Sequence, residues 1–357
     1  MILSKKNYNH LYIFFLILII IFVEFSTNIA KAKNFTITNI EIKEEYTLNF
    51  NKTKALDKAF KKAFEILLSK ILDSNDRIIL RNINLNQIKS FVESFSIKEE
   101  TFIDDNYQSK INVDFNKKEL INFLNSRGII TSSINPIDVL ILPILIDLKK
   151  NQIFTYSKNP FYLNWNLNYQ KFHQINYILP NEDIEDFSII KKNANDIENY
   201  NFDEIFQKYN INNKILLVLL KQGKEIRVFS KIILENNKMY INKNLVLSNF
   251  EDLDEITKSI LDIKNDYENK WKSMNRINTS IILPIRLSTN SVNFKLTNRL
   301  EDNLSDVDLI SNYEIERLSS TEIVYKIIFN STPDKFLKIM KNKNFNIDTS
   351  GEIWKVK

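Results

Sequence analysis

Cysteine is absent from the 357-residue chain. That excludes disulfides, thiolate metal sites, a thiol nucleophile and the lipidated cysteine of a lipoprotein. Histidine is nearly absent, with only His10 and His173, and no Gly-x-Ser-x-Gly elbow occurs. A Ser-His relay or a multi-histidine metal site therefore lacks its components. Glycine is confined to Gly128, Gly223 and Gly351. The charge has no strong sign either, at 49 basic against 44 acidic residues. Such a balance is no nucleic-acid footprint. Long apolar runs are also missing: the uncharged stretch from Leu11 to Val23 falls short of the roughly 20 residues that span a bilayer.

That short run nevertheless carries information. Lys5 and Lys6 precede it, and Ala30-Lys31-Ala32 follows as the small-x-small pattern a signal peptidase reads. Residues 1–32 are therefore expected to be a secretory signal, with an uncleaved inner-membrane anchor as the alternative. Removing Lys5, Lys6, Lys31 and Glu24 takes the 49 basic and 44 acidic residues to 46 and 43. An exported chain without cysteine relies on its core for stability, which suits a bacterial periplasm. No stable membrane span is expected after cleavage.

Apolar residues make up 44% and charged residues 26%, a globular composition too long for one ordinary core. Asn, Ile and Lys are frequent, as AT-rich coding favours, so lysine runs carry little functional weight. The expected fold class is α+β, or mixed α/β, in three small modules at 33–132, 133–276 and 277–357. The first reads as a strand over 35–42, a helix capped by Thr53, a short helix at 86–92, strands at 95–102 and 107–115 joined at Asp104-Asp105-Asn106, and a helix over 117–127 closed by Gly128. Asn135-Pro136 marks the next boundary.

The second module opens with the apolar run 139–146, the length of a strand buried on both faces. An aromatic loop, a strand at 174–179, a helix at 201–209, three strands between 214 and 247 and a long helix over 252–273 follow, a mixed sheet covered by helices. The third gives a strand at 279–287, a helix at 292–304, strands at 307–318 and 322–329, a helix starting at Pro333, and a strand at 345–356. That β-α-β-β-α-β order is ferredoxin-like.

Three groups of residues could carry chemistry. The aromatic cluster between Phe154 and Tyr177 either folds into core or offers Phe161, Tyr162, Trp165 and Tyr169 to a ligand, since Trp and Tyr combine contact area with a polar tip. His173 would be the sole histidine after cleavage, and no partner set makes it a metal ligand or base. Glu182, Asp183, Glu185 and Asp186 form an acidic turn after Pro180. Paired carboxylates can cleave glycosidic bonds or hold calcium, but the regular spacing of a calcium loop is missing, and acids also favour a helix N-terminus. No motif calls for a catalytic residue, a metal or a cofactor.

Pro143 in the apolar strand, Asn159-Pro160-Phe161 with Trp165, Leu179-Pro180 and Asp183-Ile184-Glu185-Asp186 resemble the hallmark segment of domain-of-unknown-function family 2066, uncharacterised exported proteins of proteobacteria. The family usually shows Asn-Pro-Trp where this chain has Phe161. The resemblance extends from about Phe35 to Trp354-Lys355-Val356, and implies no activity for any residue. The first module also resembles small α+β domains of envelope and flagellar-associated proteins, and the second is similar to the N-terminal domain of TolB-type envelope proteins.

Together these features lead to the expectation of a periplasmic, non-enzymatic envelope protein that binds another envelope protein or the cell wall. The alternative is a hydrolase of cell-wall glycan or peptide acting through residues 182–186. N-terminal sequencing of the exported protein should begin at Lys33; an intact Met1 in the cytosolic fraction would contradict the export reading.

Overall fold

The computed structural model describes residues 35–167 and 174–357. Among them lie ten α-helices and three sheets, each sheet with its own apolar core, an α+β architecture. The expected signal at 1–32 lies outside the described residues, as do Tyr169 and His173.

In the first sheet, β1 (Thr36–Glu45), β2 (Val92–Ile103) and β3 (Asn106–Phe115) run antiparallel in the order β1-β3-β2. The β2–β3 turn places Asp104 and Asp105 at φ 50° and 55°, as a two-residue hairpin turn requires. Helix α1 (Lys52–Ile71) buries Ala55, Ala59, Phe60, Ala63, Phe64 and Leu67 against the sheet. Its N-cap is Asn51, whose side chain accepts from Lys54 N, rather than the expected Thr53, because the helix starts two residues earlier. Short helices α2 (Ser74–Ile79) and α3 (Leu85–Phe91) and helix α4 (Lys117–Ser126) complete the layer. Gly128, at φ +72°, takes the left-handed position just past α4.

The second sheet is built around β4 (Ile137–Asp147), which has Val139, Ile141 and Leu145 in one core and Leu140, Leu142, Ile144 and Ile146 in the core on its other face. Parallel β7 (Lys214–Gln222) flanks it, followed by antiparallel β8 (Glu225–Leu234) and β9 (Asn237–Val246). On the opposite side two short strands share β4's edge: β6 (Ile175–Ile178) pairs with residues 137–140, and β5 (Gln152–Phe154) with 145–147. Pro143 falls in the gap between them. A proline inside a sheet normally removes a ladder bond, but in that gap its missing N–H leaves no neighbouring strand unsatisfied.

Helices α5 (Pro160–Asn164), α6 (Ile184–Lys192), α7 (Asp203–Phe206) and α8 (Leu253–Met274) cover this sheet. The helix expected over 201–209 is only the one turn of α7. Helix α6 was not legible as an element because its acidic start reads equally well as a loop.

The third sheet contains β10 (Leu283–Asn290), β11 (Ile310–Leu318), β12 (Glu322–Phe329), β13 (Ile347–Asp348) and β14 (Trp354–Val356), with helices α9 (Phe294–Asp306) and α10 (Pro333–Asn342). The strand order β11-β12-β10-β14-β13 is ferredoxin-like with a correction at the end. The single strand expected over 345–356 is a hairpin. Its turn carries the chain back so that β14 runs parallel to β10, with β13 outside it.

The first two modules meet at the C-terminus of α1, where the last carbonyls of a helix have no partner within it. Four separate groups reach them. Leu72 N donates to Leu68 O at 2.8 Å, and the Lys272 ammonium donates to Ser69 O and, at 3.0 Å, to Leu72 O. Gln174 Nε2 donates to Lys70 O, and the Ser132 N–H and hydroxyl both donate to Ile71 O at 2.8 and 3.0 Å. A cation is favoured there by the helix dipole as well as by the bonds. Outside this polar plug of donors at the end of α1, Asn269 exchanges two bonds with Ser74, and Arg276 pairs with Asp73 at 2.9 Å.

Lys272→Ala orphans two buried carbonyls and should lower unfolding stability by about 3 kcal/mol in urea denaturation. The exposed Lys270→Ala, two residues away, should stay within about 0.5 kcal/mol.

Candidate functional site

Residues of the segment from Pro143 to Asp186 are brought together, although the two ends lie 43 positions apart in the sequence. Asn159 caps α5 by accepting from Phe161 N at 3.0 Å, and its amide donates to Pro143 O at 3.1 Å. The same side chain thus starts a helix and supplies the donor that β4's gap lacks. The Tyr162 hydroxyl donates to Pro180 O at 2.7 Å, and the Tyr156 hydroxyl lies 3.3 Å from Asp186 Oδ2. Asn166 Nδ2 donates to Tyr177 O at 3.1 Å. The segment is a knot tied to its own sheet.

Of the four proposed ligand-binding aromatics, Phe161 is 0% and Trp165 1% exposed, and both belong to the core of the second sheet. This corrects their reading as a contact surface: bulky apolar rings following a strand buried on both faces close that strand's core instead of lining a groove. Trp165 packs edge-on against Tyr177, ring centroids 5.6 Å apart, and also touches Tyr267. Tyr162 is half-buried by its bond to Pro180, and Tyr169 is outside the described residues.

The acidic turn is likewise tied into the fold. Asp183 is the N-cap of α6, accepting from the N–H groups of Glu185 and Asp186, and Glu185 lies in the first helical turn. Lys208 Nζ sits 2.8 Å from Asp183 and 2.7 Å from the fully buried Asp186. The Lys208 bond and the backbone donors hold the Asp183 carboxyl below its usual range, while the two carboxylates raise the lysine. A carboxylate that must deliver a proton near neutral pH needs the opposite shift. Among the described residues, no group of three or more His, Cys, Asp or Glu side chains is placed to hold a metal ion.

A second cluster was missed from sequence. Lys264, Glu268 and Lys272 follow one another at four-residue spacing along α8, and each is only 2–4% exposed. Lys264 Nζ donates to Trp165 O at 2.6 Å and lies 5.4 and 5.1 Å from the Trp165 and Tyr177 ring centroids. Burial pushes its amine down to about 8, with Glu268 pulling the other way. Burial pushes Lys272 down to about 8 as well. Glu268 accepts from Gln174 N at 3.0 Å and Ile175 N at 2.9 Å, fixing the start of β6. The available signal was the stripe itself, because these three charges share a face with Ile260, Tyr267 and Trp271.

Open space lies both within the first module, in a cleft of about 700 Å³ beside Glu41, Lys58 and Lys110, and where the modules meet. A cleft of about 950 Å³ runs between the linker at Ser133 and Asn135, the end of α8 at Asn275, and α10 with Lys335 and Lys338. A narrower groove of about 280 Å³ separates α4 from β11. Between them, Asp308 accepts from Ile134 N at 3.1 Å and faces Lys117 Nζ at 3.5 Å, which also donates to Val307 O. No family model and no curated protein matches the chain.

The cluster gives a signed pH response. The unfolded Lys264 amine titrates near 10.5 and the folded one near 8, so between these values the unfolded chain binds more protons and stability rises with pH. From pH 7 to 9.5, urea melts should show wild type gaining on the order of 1–2 kcal/mol relative to Lys264→Met. A flat difference would contradict the buried charge.

Proposed function

We propose that the protein is an exported component of the cell envelope that binds another envelope protein or the cell wall without acting on it chemically, as the resemblance to domain-of-unknown-function family 2066 would place it. The observation that carries this reading is how the polar and aromatic residues with chemical potential are used. Asp183, Asp186, Tyr156, Tyr162, Asn159 and Trp165 bond or pack to one another and to the second sheet, whereas open clefts lie elsewhere, one of about 950 Å³ at a boundary between modules. Clefts at module boundaries are where ligands and partners dock on multi-module proteins. No helix among the described residues is long and apolar enough to cross a membrane.

The rival reading is hydrolysis of wall glycan or peptide by residues 182–186. It requires a carboxyl group that holds a proton near neutral pH, and the Lys208 bond keeps the Asp183 carboxyl below its usual range instead.

Affinity capture from periplasmic extract, with sedimentation on purified peptidoglycan in parallel, should retain one reproducible partner on the exported chain. Retention of nothing in both would contradict the proposal. Changing Glu182, Asp183, Glu185 and Asp186 to their amides should leave wall turnover unchanged and lower the melting temperature; turnover lost at unchanged stability would favour the hydrolase.

A further inference from the structure

With one exception, the edge strands of the three sheets are built so that they do not invite another strand. Strands β1, β2 and β11 are each broken by register shifts, and β5, β6 and β13 are only two to four residues long. Bulges and short length are what keep an edge from pairing with a second chain. Strand β9 has neither: its ten residues pair with β8 without a shift, and no strand lies beyond it among the described residues.

The hairpin decides which main-chain groups of β9 face outward. Glu235 and Asn236, at φ 45° and 67°, form a two-residue turn closed by Leu234 and Asn237, so those two exchange hydrogen bonds. Alternation then gives the odd-numbered residues of β9 to β8, and Leu247 N, which donates to Lys224 O at 2.8 Å, is in phase with that. Lys238, Tyr240, Asn242, Asn244 and Val246 are left with N–H and C=O directed away from the sheet, without a main-chain partner among the described residues.

The side chains along this edge leave apolar surface open. Tyr240 and Val246 are 54% and 72% exposed, and Met239, Ile241 and Leu245 are only half-buried against the core of the second sheet. Lys243, a charge that would repel an added strand, is engaged by Asp262 and Asp266 of α8 at 2.8 and 2.6 Å.

We propose that β9 pairs with β9 of a second copy of the chain, antiparallel about a two-fold axis through Asn242, joining two six-stranded sheets into one. In this register Asn242 faces Asn242 of the second copy, Tyr240 faces Asn244 and Lys238 faces Val246, so every outward group is paired. Moving the axis by one residue either way sets Val246 against the turn or Lys238 against the loop after β9. On the α8 face Met239 meets Leu245, and Ile241 meets the aliphatic stem of Lys243. Neither lysine faces a like charge, and Lys238 is brought to the side of Val246 whose β8 neighbour is Glu225. The proposal is independent of the binding role argued above.

Sedimentation velocity on the whole exported chain, from about 1 to 100 μM, should show a dimer forming. Asn242→Lys and Asn242→Asp each set like charges together at the axis and should weaken the dimer about tenfold or more, whereas an equimolar mixture of the two should restore it. The side chain is exposed, and an unchanged far-ultraviolet circular dichroism spectrum verifies that each variant is folded. A wild type still monomeric at about 100 μM, a dimer indifferent to both charges, or a mixture no tighter than its components overturns the proposal. Should a charge variant lose its fold, a crosslink decides, since the chain has no cysteine of its own. Asn242→Cys puts the two Cα atoms about 5.5 Å apart, within disulfide reach, and Lys238→Cys puts them about 27 Å apart. Oxidation should join the first about tenfold faster or more, and equal rates overturn the proposal.

Discussion

The structure depends on how the C-terminus of α1 is finished. A helix that ends inside a protein leaves carbonyls that must be paired, and the first module pairs only some of its own, through Leu72 N and Ser132. It borrows Gln174 and Lys272 from the second module for the rest. Each donor is held by something else in turn. The Gln174 backbone is fixed by Glu268, and Glu268 lies one helical turn from both Lys264 and Lys272. The first sheet, β6 and α8 are therefore positioned by one chain of buried polar contacts, which tolerates no loose member because each unpaired group would be costly in the interior.

The same logic governs the segment from Pro143 to Asp186. Pro143 cannot donate, so β4 has a gap on one edge; Asn159 fills the gap and starts α5; α5 delivers Trp165 to the core; and the Trp165 carbonyl receives the Lys264 ammonium. The pattern Pro, Asn-Pro, Trp, Pro, Asp is intelligible as the set of residues needed to complete a sheet with a break in one edge. The most conspicuous residues of the segment, Phe161 and Trp165, thus face inward, and the open clefts lie elsewhere on the chain.

Much of the fold was legible because it rests on short-range periodicity. The stripe of α1, the alternation Tyr107-Ser109-Ile111-Val113-Phe115, the double-sided burial of β4 and the Thr332-Pro333 start of α10 all depend on neighbours within a few residues. What stayed hidden depends on distant partners. Nothing local to Lys272 announces that it will cap a helix 200 residues earlier, and an acidic run cannot tell a solvated loop from the N-cap of α6 until Lys208 is placed beside it. The terminal hairpin was missed for a local reason: Ser350 and Gly351 interrupt what otherwise reads as one strand, and the turn between β13 and β14 reverses it. The aromatic cluster offered two readings from sequence, and burial assigns Phe161 and Trp165 to the interior.

Native-state hydrogen exchange on the unmodified chain tests most directly whether the polar plug makes the first two modules a single body. The amides of the last two turns of α1 and those of α8 from Glu268 to Met274 should open with one common free energy and one denaturant dependence, as members of a single cooperative unit. Exchange of the α1 amides at a free energy several kcal/mol below that of α8 would show that the modules open independently, and would contradict the account.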